Sequence, residues 1–473
     1  MLNAARARTL DLDRAALIAC AAAVAIGLLA AVTTPLIVVV GLAGLAVLGL
    51  IWARPVAGIF VFVAIVSTLP FGVVPVPLAG AQLTFVDATM LATFSAVFWR
   101  LAFGGLHARP GQTGTWLMVY VLIACAAFVV GASTAGAPPE LVRRVGKLFV
   151  SLLFFVVASA LLAGGDHLPR LTRWLMVGGA VQGAIGALLM ATSPLTQLTL
   201  LTRLTVIGYP ADDVLRYVPG PNDTYTTQLR AIGTSVDPNV FGGTLMLSLA
   251  LIVVQWAAPR RVLGRAWLAV LAAPTAAGMV LSLSRASWLG LACGLTLVGV
   301  LRYRRILALG IAACLAVIAT PAGQEITRRF LSGFSVADRA TAFRVGEFGN
   351  ALTLIQRYPW LGIGFGLSPD IDVTAGVSSV YLLVAEQTGL LGLAVYLLAV
   401  GSVWCIGVRG VMREADPARQ VLAGAYLAAI TAALVAGLLD HYFANVAFPH
   451  AVALFWLYAA GLVVSVRRAS IKG

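Results

Sequence analysis

The chain has 473 residues and a formal net charge of +14; hydrophobic types make up 60% of it and charged types only 11%. A soluble globular domain carries about 25% charged residues, so a water-soluble enzyme, a disordered tail protein and a disulfide scaffold are excluded, and a polytopic helical membrane protein remains. The positive charge does not require nucleic acid as a partner, because an arginine excess in short cytoplasmic loops accounts for it.

Arg6, Arg8 and Arg14 precede an apolar run over 15–33 that reads as a retained first span rather than a cleaved signal. Further apolar runs follow at 35–53, 57–74, 86–105, 115–134, 146–164, 172–192, 240–257, 264–283, 286–302, 304–320, 378–408, 418–438 and 446–466. With about 20 apolar residues needed per crossing, this pattern predicts an all-α, polytopic transmembrane helix bundle of about 12–14 spans. Its parts are N-terminal transmembrane helices over 1–192, an external loop over 193–239, transmembrane helices over 240–320, a large external loop over 321–377 and C-terminal transmembrane helices over 378–473. The turns at 283–286 and 302–304 are so short that the runs around them also admit fewer, longer or re-entrant elements. The cysteines, Cys20, Cys125, Cys293, Cys314 and Cys405, all fall in apolar runs without metal or CxxC spacing, which makes them core or lipid-facing residues.

Placing the N-terminus in the cytoplasm and alternating puts about 20 of the 32 basic residues in inner loops, as the positive-inside rule requires. Both termini are then cytoplasmic, in the cytoplasmic membrane. Arg143, Arg144 and Lys147 contradict the scheme by falling outside. The two long external segments mix acids and arginines with aromatics such as Tyr209, Tyr217, Phe343 and Trp360. They read as a folded cap rather than a tether, and 338–357 has the spacing of an amphipathic helix lying over the bundle.

Five constellations carry chemistry. Asp237-Pro238-Asn239 is a turn followed by a helix start, seven residues after Arg230. A helix N-terminus with a nearby arginine favours an anion, though an ordinary cap has the same pattern. Arg285, in Ser284-Arg285-Ala286-Ser287-Trp288, stands between two apolar runs with almost no loop, where an arginine snorkels to the headgroups or lines a polar cavity. The third is Phe343-Arg344 followed by Arg357-Tyr-Pro-Trp-Leu-Gly362-Ile-Gly364-Phe-Gly366; without a preceding strand or a following Lys-Ser/Thr, the glycines are no nucleotide loop, and a tight turn is the plain reading. Glu386, an acid inside an apolar run, is a functional candidate or a structural cap. Asp440-His441, at an external helix end, is an acid/base candidate or a satisfied interfacial pair.

Taken together, Arg-x-x-Gly…Pro-Asn-x-Phe-Gly-Gly, then Ser-Arg-x-x-Trp, then Arg…Pro-x-x-Gly-x-Gly-x-Gly, then Tyr-Leu…Glu-x-x-Gly-Leu-x-Gly, over about residues 225–445, resembles the bacterial O-antigen ligase/polymerase superfamily. The resemblance implies a membrane glycosyltransferase that moves a glycan from a polyprenyl-diphosphate carrier, on the outer face of the cytoplasmic membrane, to a glycan or lipid acceptor. It implies no cofactor, no metal and no nucleic acid. It also implies that Arg230 and Arg285 handle the donor diphosphate; Arg344 and Asn239, from the constellations above, are further candidates for the same site. Where the family's ligases carry His-Asn before the motif tyrosine, this chain has Ser378 and Ser379. Serine is no general base near neutral pH, so the base falls to Asp372, His441 or Glu386, with Asp370 also in range. A polysaccharide polymerase, or a ligase with an unusual acceptor, is therefore the leading expectation. A lipid-linked-substrate transporter or flippase and a catalytically degenerate assembly partner stand as alternatives.

Overall fold

The computed structural model describes residues 35–74, 82–106, 110–210, 214–219, 225–321, 323–324, 327–328, 339–366 and 376–466. It divides into two compact units, residues 1–54 and 55–473. In the first, the described element is one apolar helix, α1 (Pro35–Ala53).

The second unit is a helical bundle. Its first half runs α2 (Val56–Val66), α3 (Phe85–Ala102), α4 (Gly111–Ala135), α5 (Pro139–Leu162), α6 (His167–Met190) and the short α7 (Pro194–Thr202). Then come a 3-10 turn and a two-stranded antiparallel hairpin, β1 (Arg216–Pro219) and β2 (Tyr225–Arg230), with Arg216 opposite Arg230. The second half holds α8 (Pro238–Ala257), α9 (Arg265–Leu281), α10 (Arg285–Leu301), α11 (Arg304–Ile318), α12 (Arg339–Arg357), α13 (Val380–Arg413), α14 (Pro417–Ala436) and α15 (Pro449–Val466). Eight helices among the described residues are long and apolar enough to cross a membrane, with shorter apolar helices beside them. The architecture is the all-α polytopic bundle expected, and the ambiguous stretch around 283 and 304 resolves into three separate helices.

Burial separates centre from rim. The apolar windows of α8 and α15 are 83% buried and those of α4 and α13 only 33%. A helix that is apolar all round belongs in the centre, and here α8 and α15 form it. The outer helices show Phe98, Leu122 and Leu188, each roughly 70% exposed, as a lipid-facing surface requires.

Small residues set the close crossings. A Cβ at Gly290 or Gly294 of α10 would stand 2.4 or 2.2 Å from the carbonyls of Ala432 or Ala428 on α14, so only glycine lets these backbones approach. The reversed order of those contacts makes α10 and α14 antiparallel. Likewise Ser248 donates to the Leu175 carbonyl at 3.0 Å while Phe241 meets Gly186, making α6 and α8 antiparallel. The starts of α8, α10 and α13 therefore share one end of the bundle with the ends of α6, α9 and α14.

The three cations that broke the charge alternation each find a carboxylate. Arg143 and Arg144 pair with Glu140, the latter at 2.8 Å. Lys147 meets Asp87 Oδ2 at 2.6 Å, and Asp87 also closes a capping box with Thr84 at the start of α3.

The long run after residue 378 is one continuous apolar stretch in sequence but not one straight helix. Gly389 interrupts α13 with φ 69° and ψ −176°. A break inside a membrane helix frees backbone groups that hydrocarbon cannot satisfy. Here Ile363 N–H donates to the Glu386 carbonyl at 2.9 Å, and Leu390 N–H donates to the Pro359 carbonyl at 2.7 Å. A Cβ at Gly389 would lie 2.1 Å from the Trp360 carbonyl. The glycine series after Pro359 is thus the tight turn expected, and it plugs the break.

Candidate functional site

Arg230 ends β2 at the shared bundle end. Its Nε–H donates to the Ser282 carbonyl at the C-terminus of α9 (2.9 Å) and its Nη2 to Asn239 Oδ1 in the first turn of α8 (2.5 Å). The neighbouring Ala231 N–H donates to the Leu281 carbonyl. A guanidinium has five donors, so three remain beyond these bonds. Asn239 is itself placed by the cap: Asp237 Oδ1 accepts from the N–H groups of Asn239 (2.7 Å) and Val240 (3.0 Å), with Pro238 at the first helical position. The expected turn and helix start are in place, and Asn239 acts by holding Arg230.

The loop 231–237 is tied to α6. Gln182 donates to Ser235 Oγ at 2.8 Å and accepts from Thr234 Oγ1 at 3.0 Å. Val236 (φ 63°) and Leu283 (φ 54°) are the two non-glycine residues with positive φ among the described residues. Both flank the arginines, one before the Asp237 cap and one between Ser282 and Arg285. Such conformations persist only where the surroundings over-determine them.

The Gly-Gly of the α8 motif has a packing cause. A Cβ at Gly242 would sit 2.6 Å from Ser282 Oγ and 2.9 Å from Ser284 Cβ. One at Gly243 would sit 2.3 Å from the Tyr442 ring. The first glycine admits the Ser-Leu-Ser-Arg segment carrying Arg285; the second admits the 437–445 loop carrying Asp440 and His441.

Electrostatics brings the cluster together. Burial pulls Arg230 down to about 10, opposed by the charges of Asp237 and Asp440 and reinforced by the like charges of Arg344 and Arg285. Arg285 and Arg344 are thus each within electrostatic reach of Arg230, and Arg230 stays protonated at neutral pH. Asp440 is buried, and its Oδ1 meets His441 Nδ1 at 3.1 Å. Burial alone would lower the His441 pKa; the bond to Asp440 and its charge, with Asp237 and Glu347, outweigh burial and raise it.

Arg344 and Glu347 share one face of α12, three residues apart. This is the amphipathic helix expected over 338–357. It docks on the start of α13 through a small apolar cluster of Ala351, Val377 and Leu383. Glu347 Oε2 also accepts from Ser378 N–H at 3.1 Å. Glu347 lies in electrostatic reach of both His441 and Glu386. Glu347 belongs to no motif in the sequence; its three-residue spacing from Arg344 is the available signal. Glu386 is buried, with Oε1 accepting from Gly376 N–H at 2.8 Å.

Of the residues anticipated, Arg230, Arg285, Arg344, Asn239 and His441 come together, and Glu386 joins through Glu347. Arg357 is exposed at the end of α12 and stands apart. Asp370 and Asp372 lie outside the described residues. Among the described residues, no group of three His, Cys, Asp or Glu side chains is arranged to hold a metal ion.

An apolar helical bundle with three arginines, a histidine and carboxylates gathered at one end is a polytopic membrane protein with a charged cluster at its rim. Residues 268–397 match the family model described as O-Antigen ligase, and that match supports membership of the O-antigen ligase superfamily. The match supports a role in glycan transfer or polymerisation in surface polysaccharide assembly, and that family points to glycosyltransferase-like chemistry on lipid-linked glycans. The matched segment contains Arg285, Arg344, Glu347 and Glu386, while Arg230, Asn239 and His441 join them through the fold. No curated protein matches the chain in sequence.

Proposed function

We propose that the protein transfers or polymerises a glycan from a polyprenyl-diphosphate carrier, at the external face of the cytoplasmic membrane, without metal or cofactor. The observation that carries this reading is the convergence of Arg230, Arg285 and Arg344 on one bundle end. Guanidinium forks suit phosphate oxygens. They also stand where a departing diphosphate gains negative charge, which is the charge that an enzyme must stabilise.

In the transfer, the acceptor hydroxyl attacks the anomeric carbon while the bond from that carbon to the diphosphate oxygen breaks. The diphosphate leaves with the bonding pair and is held by the arginines. The acceptor proton passes to a carboxylate. Glu347 suits this role: it is half-buried, shares a helix with Arg344 and lies in electrostatic reach of His441. His441 is bound to Asp440, which with its charge raises the histidine's pKa; in its protonated form it adds positive charge beside the arginines. Glu386 positions the 376–378 backbone beside the cluster through Gly376. Asp372 remains a second candidate for the base.

The opposite bundle end carries Arg170, Arg173, Arg260, Arg261, Arg409 and Arg413 at helix ends and turns, which supports a cytoplasmic location for it and an external one for the cluster. The test is genetic and biochemical. Deletion of the gene should abolish long surface glycan and accumulate short carrier-linked units, and Arg230→Ala and Arg285→Ala should each reproduce that loss. Normal glycan in both variants, at normal protein levels, refutes the assignment.

A further inference from the structure

At the end of the bundle opposite the arginine cluster, the α10–α11 turn and the end of α8 border an open hollow of about 570 Å³, lined by Pro259, Val300, Arg302, Tyr303, Arg304 and Arg305 among others. Among the described residues its wall holds three guanidiniums and no carboxylate. Arg302 Nε–H goes to a neutral acceptor, Gln420 Oε1, at 3.3 Å. Among the described residues, none of Arg302, Arg304 and Arg305 forms an ion pair. The acids of the adjacent α13–α14 turn are engaged locally: Asp416 caps Ala418 N–H and pairs with Arg419, and Glu414 accepts from Asp416 N–H.

Three like charges thus stand together, exposed at the mouth of the hollow. Arg304 and Arg305 occupy the first turn of α11, where unpaired N–H groups already carry partial positive charge. Among the described residues the buried Tyr303 hydroxyl has no hydrogen-bond partner, and its ring lies beside Gly424 of α14. An anion with several acceptor oxygens answers the guanidiniums, the helix end and the orphan hydroxyl together. The remaining wall is apolar, and it continues onto exposed Val300, Ile311 and Leu315.

We propose that this cavity binds the phosphodiester headgroup of an anionic phospholipid. Arg302, Arg304 and Arg305 hold the phosphate, the Tyr303 hydroxyl donates to it, and the acyl chains lie along Val300 and the outer face of α11. Basic pockets between membrane helices suit anionic headgroups. A free phosphate would satisfy the cations but leave the apolar wall uncovered.

The test uses the full-length protein reconstituted into phosphatidylcholine bilayers containing a minor fraction of phosphatidylglycerol. After gentle extraction, each lipid retained per chain is measured. The wild type should retain phosphatidylglycerol selectively. An Arg302→Gln/Arg304→Gln/Arg305→Gln variant should retain it at least tenfold less, given about fivefold per basic residue near an anionic headgroup. Tyr303→Phe, which keeps the ring and so the fold, should lower retention about threefold, the worth of one hydrogen bond. The control Arg409→Gln/Arg413→Gln, at exposed positions ending α13, should match the wild type. Unchanged retention in Tyr303→Phe and the triple variant overturns the proposal. So does an equal loss in the control, which would mean general attraction to a basic surface. Displacement of the lipid by inorganic phosphate at low concentration would assign the site to a soluble anion and overturn it as well.

Discussion

Gly243→Ala tests whether the α8 motif builds the cluster by letting the 437–445 loop approach. Helix propensity alone predicts a gain of about 1 kcal/mol for this change. The structure predicts the reverse. The new Cβ would lie 2.3 Å from Cε2, Cζ and Oη of Tyr442, whereas ordinary contact begins at 3.4 Å, so the ring must retreat by about 1 Å. Tyr442 is 1% exposed and packs on Phe443 at 4.5 Å, which leaves little room to absorb the shift locally. Overpacking of this kind costs about 1–3 kcal/mol. Asp440 and His441 precede the ring directly and move with it, and a 1 Å misplacement in a reacting constellation costs about 10²-fold in rate. The assay is the ratio of long surface glycan to short carrier-linked units in a deletion strain, with protein level and melting temperature measured in parallel. The expected result is a roughly hundredfold fall at near-normal protein level and a lowered melting temperature. Adding Tyr442→Leu, which removes the obstructing ring atoms, should restore part of the stability. Wild-type turnover with an unchanged or raised melting temperature in Gly243→Ala would refute the packing argument.

Arg230→Lys keeps the charge but loses the fork that spans Ser282 and Asn239; transfer should fall about 10²-fold, and a loss under about threefold would show that charge alone suffices. Glu347→Gln keeps an acceptor for Ser378 N–H while removing the carboxylate, so single-turnover transfer should drop by about 10²–10⁴-fold with donor binding intact; unchanged transfer would exclude Glu347 as the proton acceptor. His441 has a raised pKa in the folded protein, so the native state binds its proton more tightly than the unfolded chain. The resulting stabilisation is complete below the ordinary histidine pKa and is lost as pH rises through the raised value. Melting temperatures followed from about pH 5 to about pH 9 should show that loss in the wild type and not in His441→Gln; identical profiles would refute the Asp440–His441 coupling.

Much of this molecule was readable from local pattern. The start of α8 follows from Asp237 and Pro238, which carry capping chemistry in adjacent positions. The α12 helix follows from apolar spacing, and the turn after Pro359 from its glycines. What stayed hidden depends on partners distant in sequence. Lys147 looked misplaced because its counter-charge, Asp87, lies on another helix. The break in α13 is invisible to hydropathy, which runs unchanged through Gly389. The hairpin at 216–230 is too short for alternation to stand out against the helical pattern. The place of Glu347 emerges only once α12 docks and brings it to Ser378 N–H, within electrostatic reach of His441. The arginines were legible as candidates, but their convergence depends on two glycines whose neighbours no local window contains.

The turn that fills the break in α13 also bears on how the protein can be dissected. Residues 358–366 follow the cap helix in the chain, yet Pro359 and Ile363 supply the two backbone groups that complete the ladder around Gly389. A chimera that exchanges the whole stretch up to residue 377 for another cap would carry off that repair and leave an amide and a carbonyl stranded in hydrocarbon. The exchangeable module ends at Arg357, and what comes after it is membrane architecture delivered from outside.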